Sequence, residues 1–245
     1  MESRIFPAFR KAAILFVLLP IVLTGCSWYF YQSERVPDLM LYESFDDQNI
    51  YDRWDPWSDA ETDGTAGDGT AFFAAELPGR IEVYGPRHYL TSWDTFVADY
   101  AVLLEWSVTN GDVQTQAYPL PIESDPDFTV RIDAIDTVVA LRLYDGGLDT
   151  LEMYREDGIF LTDASVETAG TTVGTIIVEF EVQNDRSRIT ARVPELELEI
   201  SDSVAVTDPN QDHPITVGAS GLWSDPRALE TVYVYRMNAG LEVFQ

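Results

Sequence analysis

Beyond residue 38 this chain alternates. Val, Ile, Leu, Thr and aromatic residues take every second position, with Glu, Asp, Arg and Thr between them, in one short run after another. Residues 128–133, 138–144, 150–154, 175–182, 187–193 and 231–237 show the pattern most plainly. Successive side chains of a strand point to opposite faces, so a period of two predicts strands with one apolar and one wet face. Residues 39–45, 71–75, 80–84, 96–108, 196–200 and 215–222 also read as strands. Asp145-Gly146-Gly147, Asp157-Gly158, Asn184-Asp185 and Asp208-Pro209-Asn210 supply turns between the runs. No amphipathic helical period of useful length, internal repeat or low-complexity linker interrupts them. An all-β, antiparallel two-sheet jelly-roll sandwich is therefore expected as one domain over residues 38–245.

The N-terminal segment reads differently. Arg4, Arg10 and Lys11 precede the apolar run 12–23, which ends in Thr24-Gly25-Cys26. A charged start, a short apolar stretch and small residues form the pattern of a secretory signal peptide, too short to read as a spanning helix. Cys26 is the only cysteine, whereas exported chains usually use cysteines in pairs. Leu23-Thr24-Gly25-Cys26 resembles the lipobox of bacterial lipoproteins. That resemblance implies removal of residues 1–25, lipidation of Cys26 and a tether over 26–37. Several acyl chains together give stable anchoring, where one binds only marginally. It also implies a place in the bacterial cell envelope, with Ser27 after the cysteine favouring the outer membrane over the inner. Trp28, Tyr29, Phe30 and Tyr31 in the tether suit either the lipid interface or contact with the domain.

Charge excludes several partners. The chain carries 42 acidic residues against 15 basic ones, a net charge of −27, and Lys11 is its single lysine. Such a field repels nucleic acid and anionic head groups. The acids are spread along the whole chain with no block of like charge, which suits a surface adapted to a saline or alkaline habitat better than a cation site. With 46% hydrophobic and 12% aromatic residues, the composition is that of a folded domain.

Three stretches resemble concanavalin A-like lectin and glucanase jelly rolls, a group that includes laminin-G-like modules. Tyr42-Glu43-Ser44-Phe45-Asp46-Asp47 with Trp54 looks like their first strand and the segment after it. Gly174-Thr-Ile-Ile-Val-Glu-Phe180 with the Arg-rich strand that follows looks like their central pair. Val217-Gly-Ala-Ser-Gly-Leu-Trp223 leading into Glu230-Thr-Val-Tyr-Val-Tyr235 looks like their closing pair. The resemblance implies a sandwich fold and, in its enzymes, a Glu-x-Asp-x-x-Glu set with two carboxyl groups ~5 Å apart. Arg131-Ile-Asp133-Ala-Ile-Asp136 and Glu195-Leu-Glu197-Leu-Glu199 are the nearest stretches, and neither matches. In the second, alternation would set all three acids on one solvated strand face.

Other chemistries find little support. His88 and His213 are the only histidines, Gly218-Ala-Ser220-Gly221 misses the spacing of a nucleophile elbow, and no phosphate-binding glycine signature occurs. Asp59, Glu61, Asp63 and Asp68 lie in a glycine-containing loop similar to the first half of an EF-hand-type calcium loop. Thr70 stands where the bidentate Glu belongs, so a structural calcium site and a solvated acidic loop both remain open. Trp54 and Trp57, with Asp52, Arg53, Asp55 and Asp59 nearby, form the best local candidate for an aromatic platform that stacks a sugar ring. Trp106, inside the most apolar run, is expected in the core.

The expected function is that of a membrane-anchored surface or periplasmic lipoprotein, a non-enzymatic glycan-binding or adhesion module. Its partners would be the membrane, through the lipid, and a polysaccharide, with no nucleic acid and no certain cofactor. The alternatives are an envelope scaffold recognising another envelope protein and, less favoured, a glycoside hydrolase.

Overall fold

Alternation in the sequence becomes two antiparallel sheets lying face to face. The computed structural model describes residues 38–46, 50–58, 74–77, 79–85, 87–108, 125–145, 147–183, 186–205, 211–221 and 225–237. Its strands are β1 (Asp38–Glu43), β2 (Trp54–Ser58), β3 (Ala74–Leu77), β4 (Arg80–Val83), β5 (His88–Ser92), β6 (Tyr100–Val108), β7 (Phe128–Ile132) and β8 (Thr137–Asp145). They continue as β9 (Leu148–Arg155), β10 (Phe160–Glu167), β11 (Val173–Gln183), β12 (Arg186–Val193), β13 (Leu198–Ala205), β14 (Ile215–Ala219) and β15 (Arg227–Arg236). One sheet of eight strands runs β13-β12-β11-β6-β15-β4-β3, with β1 also paired to β15. The other, of seven, runs β10-β9-β8-β7-β14-β5-β2.

Period two decides which residues fill the space between the sheets. From the eight-stranded sheet, Val102, Leu104, Trp106, Ile176, Val178 and Val232 are buried. From the seven-stranded sheet, Trp54, Leu90, Phe128, Val130, Leu141 and Val217 meet them. Trp106 lies 4.9 Å from Phe128 between ring centroids, so it takes the core position expected of it. Each such side chain contributes ~1.5–3 kcal/mol by leaving water.

One acidic stretch folds differently from the sequence reading. Pro194–Leu196 is a 3-10 turn and Glu197 adopts φ 54, so Glu195, Glu197 and Glu199 do not share a strand face. Pro194 starts the turn and buried Leu196 anchors it. Glu195 instead accepts a hydrogen bond from the Thr175 N–H at 3.1 Å. Asp133–Ile135 forms a matching turn between β7 and β8, closed by Asp136 at φ 49 with Ile135 buried. These turns reverse the chain and leave β7 and β12 free to pair with β8 and β13.

Candidate functional site

The outer face of the seven-stranded sheet holds a cavity of about 330 Å3. Its floor follows from register. One row across the strands reads Trp57, Tyr89, Gly218, Thr129, Ala140 and Glu152, each paired with the next. The adjacent row reads Asp55, Thr91, Thr216, Arg131, Val138 and Tyr154. Neighbouring strands stand ~4.8 Å apart, so small residues at the centre of the first row leave a trough between larger walls. Gly218 is essential to it: a Cβ there would lie 2.4 Å from Cδ1 of Tyr89 and 2.7 Å from Oγ1 of Thr129. A glycine lets the Tyr89 ring come down over β14.

Trp57 stacks on that ring, with centroids 4.4 Å apart and 28° between planes. Its indole N–H donates to Oγ1 of Thr91 at 2.9 Å. The opposite wall carries Tyr154 and Val138. Burial, reinforced by Glu152, raises the Tyr154 phenol above its ordinary pKa, so it stays a neutral hydroxyl.

Arginines mark both ends of the trough, each joined to an acid. Arg87 Nε donates to Asp125 at 2.8 Å, and Arg142 Nε donates to Glu152 at 2.7 Å. Arg131 meets Asp133 at 2.5 Å and Glu156 at 2.9 Å. Arg87 adopts φ 50, a left-handed conformation rare outside glycine, and its N–H donates to Oγ of Ser220 at 2.9 Å. The loop beneath Asp125 is pinned by Asp127, which accepts the Arg227 Nε–H and the Leu143 N–H, each at 2.6 Å. Burial raises the Asp127 carboxyl above the usual range, while Arg227 and the Leu143 N–H oppose it.

The two candidate tryptophans part company. Trp54 is fully buried, its indole N–H donating to the buried carboxylate of Glu43 at 3.3 Å. It belongs to the core and offers no face to a sugar. Trp57 lies on the opposite side of β2 and lines the cavity. Tyr89, Thr91, Thr216, Arg131 and Tyr154 were not among the expected site residues. The sequence signal for the first two is the brief alternation of Tyr89-Leu-Thr91 within a strand of five residues. Asp59, Glu61, Asp63, Asp68 and Cys26 lie outside the described residues, as do residues 1–37. Among the described residues no group of three or more His, Cys, Asp or Glu is placed to hold a metal ion. Asp133, from the nearest match to a catalytic set, lies in the turn after β7, paired with Arg131 and outside the cavity lining, while Asp136 is exposed on the turn.

Solved structures share the two-sheet fold. LamAcat from Zobellia galactanivorans superposes with a TM-score of 0.51 at 9% identity, covering 81% of this chain and 98% of that one. The fold is the concanavalin A-like jelly roll of lectins and glucanases. A LamA variant from Z. galactanivorans, in complex with laminaritriose and laminaritetraose, gives 0.50 at 8% identity over 81% and 99% of the two chains. The legume lectin-like domain from Entamoeba histolytica gives 0.49 at 8% identity over 78% and 93%. No protein-family model matches the sequence, and no curated protein does. The likeness is one of fold.

Proposed function

We propose that this chain is a lipid-anchored glycan-binding protein of the bacterial envelope, and that the trough over β5, β14 and β7 is its binding site. The carrying observation is the Trp57–Tyr89 stack beside a line of hydroxyls and arginine–carboxylate pairs. Pyranose rings expose apolar C–H faces that suit aromatic rings, and their hydroxyls need donors and acceptors beside them. Thr129, Arg131 and Asp125 supply both. A LamA variant of the same fold is held with laminari-oligosaccharides, which is consistent with this use of the fold.

The reading is of binding without hydrolysis. A retaining glycosidase needs one carboxylate as nucleophile and a second as acid. Asp125 and Glu156 line the trough, and each is held in an arginine ion pair. Anchoring through Cys26 and exposure at the outer membrane belong to the same proposal, supported by the lipobox-like sequence.

Glycan-array binding by the full chain in detergent tests the reading, with wild type beside Trp57→Ala. Retention of at least one oligosaccharide class that falls about tenfold in the variant is the expected result. Equal retention by both would reject the trough. Release of reducing sugar from a bound glycan would replace the binding module with a hydrolase.

A further inference from the structure

Trp57 is held by more than its stack. Its indole N–H donates to Thr91 Oγ1 at 2.9 Å. Thr91 Oγ1 lies 2.9 Å from Thr216 Oγ1, and Thr216 Oγ1 donates to Asp133 Oδ2 at 3.2 Å. Proton count orders the whole chain. An indole N–H only donates, and a threonine hydroxyl has one proton to give. Thr216 gives its proton to Asp133, so the Thr91 proton must go to Thr216. The result is a one-way series across β2, β5, β14 and the turn after β7, ending on a carboxylate. Thr216 is almost fully buried, at 3% exposure, so water competes little for its hydroxyl. Arg131 at 2.5 Å fixes the carboxylate that terminates the series. Hydrogen bonds in such a row polarise one another, and a charged acceptor at the end strengthens each.

We propose that Asp133, acting through Thr216 and Thr91, is a positioning residue for the sugar platform, setting the angle at which the Trp57 indole meets the trough. This rests on the glycan-binding reading for its purpose, but the series itself is independent of any ligand. Asp133 itself touches no sugar. It locks one ring rotamer in advance, so that binding does not have to order it.

The test uses the full chain in detergent micelles, labelled with 15N-tryptophan, and reads the Trp57 indole N–H without glycan. Its resonance is identified by its loss in Trp57→Phe. In wild type it should appear downfield and exchange slowly with water. Thr216→Val keeps the shape and removes the hydroxyl, and should move the resonance upfield and speed its exchange. Asp133→Ala should do the same, whereas Asp133→Asn keeps an acceptor oxygen without the charge and should return the resonance most of the way to its wild-type position. With a glycan identified by array, Thr216→Val should weaken its affinity about three- to tenfold, the size of one hydrogen bond. An unchanged indole resonance in Thr216→Val overturns the proposal, as does an Asn variant that behaves like Ala. If Asp133→Ala does not fold, Thr216→Val decides alone. Absence of any glycan ligand would reject the binding reading and leave the indole result standing.

Discussion

The Tyr89 ring occupies the place where residue 218 would carry a side chain: a Cβ on Gly218 would sit 2.4 Å from Cδ1 of Tyr89 and 2.8 Å from the carbonyl oxygen of His88. One contact could yield by ring rotation, but the backbone contact cannot. Gly218→Ala is therefore expected to cost about 1–3 kcal/mol of stability, as overpacking does, and to lift Tyr89 from the floor. Urea unfolding measures the first effect, and glycan affinity of the folded variant measures the second.

Trp54 and Trp57 should separate stability from binding. Trp54 is fully buried, and Trp54→Ala is expected to cost about 3–5 kcal/mol, the range for removing a large core aromatic. Trp57 is half-buried, and Trp57→Ala should cost about 1–2 kcal/mol while removing the platform. Equal losses on denaturant unfolding would contradict the assignment of the two indoles to opposite faces.

That assignment was open to sequence reading. Residues three apart on a strand point to opposite sides, so Trp54 and Trp57 could never have formed one platform on β2. The strand itself is masked in the sequence because Trp-Asp-Pro-Trp-Ser holds Asp and Pro, both depleted in strands. Proline is tolerated where β2 stands, at the edge of its sheet. His88–Ser92 is hard to read from sequence because five residues give a weak alternation signal. Long alternating runs such as β11 and β12 were legible because one face is core and the other solvent. The trough was not, because it depends on which strands become neighbours. Nothing local ties Thr91 to Thr216, or Trp57 to Tyr89.

Tyr100 offers a test of buried polarity. Its side chain is fully buried, and its hydroxyl has no hydrogen-bond partner among the described residues. Burial, with Asp133 adding to it, raises the phenol well above its ordinary pKa. An unsatisfied hydroxyl costs free energy, so Tyr100→Phe should leave stability unchanged or raise it by about 1 kcal/mol. A loss above that size on thermal unfolding would show that the hydroxyl is paired.

Burial raises the carboxyl pKa of both Asp127 and Asp133, with Arg227 and Arg131 respectively opposing it. A carboxyl whose folded pKa exceeds its unfolded value binds its proton more tightly in the native state. Its contribution is fully present below the unfolded pKa, ~3.9, and is lost as pH rises through the folded value. Protonation also relieves the repulsion of a net charge of −27. The unfolding midpoint should therefore rise as pH falls from 7 toward 5. Added NaCl at pH 7 should raise it too, by screening the same repulsion. A midpoint that falls on both treatments would contradict this electrostatic account.

Charge also bears on the ligand. Arg87, Arg131 and Arg142 are balanced by Asp125, Asp133, Glu152 and Glu156 before any ligand arrives. The trough thus holds no surplus of positive charge to meet an anion. Neutral oligosaccharides should bind at low salt, and uronate or sulfated ones at least tenfold more weakly. A preference for acidic glycans on the array would contradict this balance.

The most direct measurement follows tryptophan indole resonances while the glycan found by array is titrated into the 15N-tryptophan-labelled full chain. Trp93 is the natural rival, because it is 59% exposed and its indole N–H donates to the Tyr51 carbonyl at 3.2 Å, away from the trough. The Trp57 resonance is expected to move with saturation while the Trp93 resonance stays. Movement of Trp93 with Trp57 unchanged would place the sugar elsewhere and contradict the site.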